Sequence, residues 1–413
     1  MIVKPFAALM PIEKHVKECA ALPYDVMSSS EAREETKNKP YSFLHIDKAE
    51  IDLDPTIDLY DERVYQKAKE NLQNFEKIGV YAQSKQKKFY FYRQIMNGIA
   101  QTGIVGCASI DDYISEKIKK HELTRADKEL DRIRHVDTCS AQTGPIFLAY
   151  KDSNELDCII QRATQTQPLF DFVADDGIRH TVWESDSCET DLEIENAFKT
   201  LSALYIADGH HRAASAVKAG LIRREANAHF TGEEEFNYFL SVIFPANSLK
   251  IFDYNRLLRD LNGMNKEEFL NAVERNLGKV EALETNEPYR PESVHTIGLY
   301  LNKKWHKVTF KKELCEDENP ANRLDCAILQ KYLLSPVLNI TDPRTDKRID
   351  FVGGIRGLKH LEDRCEADSV AAISMYPVTM DELMAVADAG QIMPPKSTWF
   401  EPKLRSGIFI HKI

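Results

Sequence analysis

The sequence predicts a mixed α/β fold, and three patterns carry that prediction. Short runs of β-branched and aromatic residues recur between segments whose apolar residues fall at helical spacing. An Asn97-Gly98 pair lies between two strand-like runs, where a two-residue hairpin turn needs positive φ. The apolar stretch 201–207 passes without a linker into Asp208-Gly209-His210-His211-Arg212 and then into the helix-forming stretch 213–219.

The elements follow in order. Val64, Ala68, Leu72 and Phe75 predict an amphipathic helix over 59–79, closed by Gly79. Residues 88–95 alternate aromatic and polar side chains and 102–110 are small and β-branched, so Asn97-Gly98 joins two strands. Residues 117–135 are dense in charge, which by itself suits a solvated, ion-paired helix. A buried strand is expected at 145–150 and a helix at 155–166, with Leu156, Ile159, Ile160 and Ala163 inward. Gly220 is placed to stop the helix that begins near 213, and Pro245 to stop a strand at 239–244. The last third repeats the alternation. It has a capped helix at 265–277, a hairpin at 294–310, a helix at 323–334, a strand at 349–352 before Gly353-Gly354, a helix at 358–365 and a strand at 370–376. Thr379-Met380-Asp381-Glu382 fits a capping box for a helix ending at Gly390. Residues 393–403 form a proline-stiffened loop. Boundaries near 115 and 246 give an N-terminal α/β region (1–115), a core carrying the strand-to-helix loop (116–245) and a C-terminal α/β domain (246–413).

Bulk properties narrow the function. The 413 residues carry a formal net charge of −11, and no Lys/Arg run forms a basic stripe, so nucleic acid is disfavoured as the main partner. The eight cysteines include no C-x-x-C pair, which argues against a zinc ribbon or thioredoxin-type site. Neither a signal peptide nor an apolar run of membrane-spanning length is present, so a cytoplasmic protein without membrane contact is expected.

Four polar clusters could carry chemistry. In the first, Asp208 to Arg212, a strand ends at the mouth of a helix, where free backbone N–H groups and the helix dipole suit a phosphate. The dipole contributes only about 0.3–1 kcal/mol when exposed. Arg212, His210 and His211 must therefore supply most of any phosphate affinity. Gly209 allows close backbone approach, and Asp208 could hold a magnesium ion or a ribose. The competing explanation is a helix cap with two surface histidines. Second is Lys119-Lys120-His121-Glu122-Leu123-Thr124-Arg125, where cations keep a carboxylate ionised and His121 can orient Glu122 as a general base. Third is Pro394-Pro395-Lys396-Ser397-Thr398-Trp399, one cation and two hydroxyls suited to a carboxylate or phosphate, without the glycines of a Walker A loop. The fourth comprises two turn-like charged stretches, 175–180 and 342–348, for which a structural role is the simpler account.

These motifs, with Arg134-His135-Val136-Asp137, Thr143-Gly144-Pro145, Asp175-Asp176-Gly177, Pro23-Tyr24-Asp25-Val26 and the run 394–403 ending in Pro402-Lys403, resemble domain-of-unknown-function family 1015. More distantly, the His-Glu pair, the Asp-Gly-His-His-Arg loop and the Pro-Lys-Ser-Thr loop are similar to free serine kinases of ParB/sulfiredoxin-like fold. That similarity implies a ParB/sulfiredoxin-like core elaborated at both ends. It also implies phosphoryl transfer from ADP or ATP to L-serine, giving O-phospho-L-serine. Glu122 would be the base, with His121 and Asp208 beside it. Gly209, His210, His211 and Arg212 would bind the nucleotide phosphates, Asp208 the Mg²⁺, and Lys396, Ser397 and Thr398 the serine. The alternative is a ParB-like regulator that binds or hydrolyses nucleotide without an acceptor. Sulfiredoxin chemistry needs a cysteine where this chain has His210. The spacing from Glu122 to Asp208 is longer than in the small kinases, and Trp399 replaces a basic residue.

Overall fold

A strand that carries its own hydrogen-bonding edge must find a neighbour, and most strands of the first two hundred and fifty residues find theirs in one sheet. The computed structural model describes residues 1–284 and 287–413. The sheet's members are β1 (Val3–Lys4), β2 (Tyr90–Met96), β3 (Ile99–Ser109), β4 (Ile118–Lys119), β5 (Ile146–Tyr150), β6 (Phe170–Val173), β7 (Arg179–Glu184), β8 (Leu204–Asp208) and β9 (Tyr238–Pro245). They lie in the order β4-β8-β5-β9-β3-β2-β7-β6, with β1 beside β3. The β4/β8 and β5/β9 pairs are parallel and the rest antiparallel. The hairpin expected at Asn97-Gly98 joins β2 to β3, with φ of 52° and 77° at the two turn residues.

Five longer helices accompany this sheet: α1 (Glu62–Lys77), α2 (Ala126–Cys139), α3 (Asn154–Ala163), α4 (Cys188–Thr200) and α5 (His210–Ala226). Ile159 of α3, Ile194 and Phe198 of α4, and Ala213 and Val217 of α5 share one buried cluster with Leu148, Ile206, Phe239 and Ile243 of the sheet. Full burial of one such side chain as large as Phe198 stabilises the fold by about 1.5–3 kcal/mol. A separate cluster joins Phe43, Leu44, Phe75 and Tyr81 of the N-terminal region to Ala141 and Ile410.

The chain divides into two units, Met1–Leu249 with Pro402–Ile413, and Lys250–Glu401. A boundary at 115 is therefore corrected: β1, β2 and β3 lie before it yet pair into the same sheet as β5, β8 and β9, so no cleavage of the sheet occurs there. The second unit holds an antiparallel six-stranded sheet of β10 (Tyr254–Leu258), β11 (Gly278–Ala282), β12 (Thr296–Leu301), β13 (Lys304–Phe310), β14 (Ile349–Gly353) and β15 (Ala371–Ser374), ordered β11-β13-β12-β15-β10-β14. Two capped helices accompany it, α6 (Lys266–Asn276) and α7 (Met380–Asp388), each opened by a capping box. The fold is mixed α/β, as the sequence predicts.

Three local expectations change. The helix in 117–135 begins only at Ala126, because Ile118 and Lys119 pair with Leu204 and Tyr205 as a strand. Helix α5 runs through Gly220 to Ala226. There the glycine serves packing: a Cβ would stand 2.4 Å from the Phe236 carbonyl oxygen. The segment 323–334 is not one helix but a 3-10 turn (Pro320–Arg323), an α-helix (Asp325–Leu329) and a π-helical turn (Gln330–Leu334). No helix among the described residues is long and apolar enough to cross a membrane.

Candidate active site

Parallel pairing of β4 with β8 explains why two polar segments far apart in sequence meet. Leu204 lies opposite Ile118 and Tyr205 opposite Lys119, so both strands leave the sheet at the same end. Lys120 to Arg125 and Asp208 to Arg212 are then neighbours. A register irregularity between Ile206 and Asp208 re-aims the last residue of β8. Gly209 follows with φ +90° and ψ 33° and forms the N-cap of α5 with no side-chain cap. The cap explanation for Asp208 therefore does not apply, and the first turn of this 17-residue helix contains no acidic residue. Its N–H groups retain their attraction for an anion.

The side chains form a layered charge arrangement. One oxygen of Asp208 lies 3.5 Å from the Lys403 ammonium and 3.6 Å from the Arg212 guanidinium. Burial would raise the Asp208 pKa, but Lys403, Arg212 and His210 together hold it at about 2. Arg212 donates to the Pro145 carbonyl at 2.6 Å, while its buried Nε has no partner. Burial would favour the neutral guanidine, yet Asp25, Asp208, Tyr24 and Asp47 raise its pKa, so it stays charged. A small cavity of about 30 Å³ beside it is lined by Tyr24, Arg132, Thr143 and Gly144, among others.

Burial favours the neutral form of three histidines here, His121, His210 and His211. Burial drives the His210 pKa well below its usual value, with His121 adding to the effect. His121 falls to about 4, again chiefly by burial. The two rings meet edge to face with centroids 4.4 Å apart. His210 Nε2 accepts a long contact of 3.5 Å from the His121 backbone N–H, so its Nδ1 carries the proton toward Glu122, whose carboxylate is 3.6 Å away. His211 Nε2 accepts from the Arg125 N–H at 3.0 Å. Burial also lowers the His211 pKa. Glu122 itself is half exposed, at 53% of its side chain.

Predicted residues His121, Glu122, Asp208, Gly209, His210, His211 and Arg212 thus come together. Lys396, Ser397 and Thr398 belong to the second unit. There the Ser397 hydroxyl donates to the Pro394 carbonyl at 2.6 Å and lies 3.1 Å from Cys326 Sγ. Lys396 has φ +61°, its carbonyl accepts from Arg256 at 3.1 Å, and its ammonium lies 5.7 Å from the Tyr254 ring centre. Sequence reasoning left two site residues without a role, Tyr24 and Lys403. Both lie in stretches singled out as motifs, but only the folded chain gives them neighbours.

Among the described residues no group of three or more His, Cys, Asp or Glu side chains could hold a metal. Asp208 alone still suits Mg²⁺, which keeps its waters and takes one or two carboxylates together with phosphate oxygens.

A family profile described as "protein of unknown function (DUF1015)" matches residues 3–327. The chain belongs to the DUF1015 family. No curated protein matches it. Among solved structures, a mutant free serine kinase in complex with AMP is similar at 15% identity, over 71% of this chain and 86% of that one, with a TM-score of 0.36. SbnI with a C-terminal truncation, from Staphylococcus aureus, is similar at 11% identity over 74% and 85%, with a TM-score of 0.39. A conserved hypothetical protein from Pyrococcus furiosus is similar at 16% identity over 73% and 93%, with a TM-score of 0.35. The DUF1015 match includes the whole Glu122 and Asp208–Arg212 cluster and ends before Lys396 and Lys403.

Proposed function

We propose that this DUF1015 protein is a small-molecule kinase that transfers a phosphoryl group from ADP or ATP to free L-serine, giving O-phospho-L-serine. The observation that carries the reading is the position of Glu122. A half-exposed carboxylate stands 3.6 Å from His210, on the loop whose uncapped helix end and paired cations suit a phosphate. The serine substrate and the nucleotide rest on the motif resemblance to free serine kinases.

In the proposed step, the serine hydroxyl oxygen forms a bond to the terminal phosphorus of the donor. The bond from that phosphorus to its bridging oxygen breaks, and the electron pair leaves with AMP (from ADP) or ADP (from ATP). The hydroxyl proton goes to a Glu122 carboxylate oxygen. His210, neutral with Nδ1–H toward Glu122, orients that carboxylate without giving up charge. The helix N-terminus, Arg212 and Lys403 offset the charge on the phosphoryl oxygens, which is the main task in such transfers. Asp208 would hold Mg²⁺, which when bound neutralises further phosphate charge. Lys396, Ser397 and Thr398 are assigned to the acceptor by the motif resemblance alone.

The test is direct. Purified protein is incubated with L-serine, Mg²⁺ and either ADP or ATP, and O-phosphoserine is sought by mass spectrometry. Product with one donor supports the kinase. If nucleotide binds while neither donor gives product, a nucleotide-binding or nucleotide-hydrolysing regulator takes its place.

A further inference from the structure

Burying an arginine removes a charge from water, a cost that a carboxylate partner normally offsets. Arg256 stands on β10, between β14 and β15 in the sheet of the second unit, and is only 4% exposed. Phe351 is its register partner on one side and Ile373 on the other. Burial lowers its pKa, and the groups that oppose the shift are Cys326 and Tyr254 rather than a carboxylate. Two backbone carbonyls take the guanidinium instead. Nη1 donates to the Tyr254 carbonyl, and Nη2 to the Lys396 carbonyl at 3.1 Å. The guanidinium carbon lies 5.3 Å from the Phe351 ring centre.

The second of those carbonyls gives the buried charge a task. Lys396 has φ +61°, a left-handed conformation that crowds a Cβ and that glycine adopts freely. Pro395 and Lys396 form a turn between Pro394 and the strand Trp399–Phe400, which pairs with Ile251–Phe252. The Ser397 hydroxyl closes that turn on the Pro394 carbonyl at 2.6 Å. Arg256 therefore ties the one strained residue of the loop to the backbone of Tyr254. The ring of the same Tyr254 lies 5.7 Å from the Lys396 ammonium. One guanidinium thus governs both ends of the lysine. It holds the Lys396 carbonyl directly, and it holds the residue whose ring faces the ammonium.

We propose that Arg256 is a positioning residue: it locks the left-handed turn at Lys396, so that the exposed Lys396 ammonium is held ready for the carboxylate of a small amino-acid acceptor. The acceptor rests on the kinase reading, and the lock does not. A lysine at this position cannot do the same, because a single ammonium does not reproduce the planar fork that spans two carbonyls.

Trypsin reads the lock directly, since Lys396 is itself a cleavage residue in an exposed position. Lys303, in the exposed turn between β12 and β13, is the internal control. In Arg256→Lys, nicking after Lys396, mapped by mass spectrometry, is expected to rise roughly 10–100-fold, the size of one charge-assisted hydrogen bond. Nicking after Lys303 stays at the wild-type rate. Arg256→Gln, which removes the buried charge and keeps one donor group, is a second variant with the same expected selective rise. An equal rise at both sites shows general loosening and overturns the lock, as does no rise at Lys396. In the phosphoserine assay Arg256→Lys should raise KM for serine roughly 2–5-fold and leave kcat and KM for ADP unchanged. In a Lys396→Ala background the same change should add nothing, because both act through one ammonium. An additive loss overturns the positioning role. A wild-type protein that makes no phosphoserine removes the kinase reading, and the trypsin comparison then decides the lock alone.

Discussion

Two loops in this chain offer cations, hydroxyls or N–H groups, and each turns through a residue with positive φ. At Gly209 the φ is +90° and donors around it are left over: a buried guanidinium nitrogen without a partner and a helix end with no side-chain cap. At Lys396 the φ is +61° and the polar groups are mostly used up internally, with Ser397 bonded to Pro394 and the Lys396 carbonyl held by Arg256. A loop built to hold itself satisfies its own donors, while a loop built to hold something else leaves them short. By that criterion the Asp208–Arg212 loop is the better candidate for chemistry, and the Lys396–Thr398 loop offers chiefly one exposed ammonium.

The largest expected effect tests whether the first loop is chemical at all. Glu122→Gln keeps the size and hydrogen-bonding shape of the side chain but removes the base. Phosphoserine formation should fall by roughly 10²–10⁴-fold, the usual worth of a positioned base, while ADP affinity stays within about 3-fold. A variant with unchanged turnover would return Glu122 to the role of a solvated carboxylate.

Next in size is the backbone of that loop. A Cβ on Gly209 would stand 3.1 Å from the Arg212 guanidinium, in a left-handed conformation that costs an alanine about 1–2 kcal/mol. Gly209→Ala should lower the urea midpoint accordingly and weaken ADP, because Arg212 must shift. If stability falls and ADP affinity does not, the glycine serves the turn alone.

The third difference is pH. Burial lowers the folded-state pKa of His121 to about 4 and that of His210 well below its usual value, whereas the unfolded chain titrates near the ordinary histidine value. Between these values the unfolded state binds more protons. The stability contribution is therefore complete above pH ~6.5 and is lost as pH falls toward 4. For His121 the loss at pH 5 relative to pH 7 is on the order of 1–2 kcal/mol. His121→Phe should flatten the melting temperature against pH across that range. An unchanged slope would mean that His121 is protonated in the fold.

How much of this was legible beforehand follows from the range of each interaction. Val64, Ala68, Leu72 and Phe75 marked α1 because burial of one helix face is written at a fixed period. Asp208 to Arg212 was legible because a strand, a glycine and a helix follow each other without a gap. Charge density at 117–135 suggested a helix too early, since the pairing of Ile118 with Leu204 is a long-range contact that no local pattern announces. Lys403 was out of reach for the same reason: its partner Asp208 is set by a segment that crosses back between units of sequence, anchored at Gln94, Asp176 and Ala21.

The smallest effect sharpens the comparison from the other side. Lys396 occupies a left-handed conformation that glycine adopts freely, so Lys396→Gly relieves strain while loosening the unfolded chain, and stability should move by less than about 1 kcal/mol. Its ammonium is exposed, and an exposed ion pair with a substrate carboxylate contributes about 0.2–1 kcal/mol. KM for serine should then rise roughly 2–5-fold with kcat little changed, the pattern of an interaction made equally before and during reaction. Lys396→Ala separates charge from backbone, because it removes the ammonium and keeps the strained φ. Equal KM in both variants and the wild type would take the acceptor away from this loop and leave it as a self-satisfied turn.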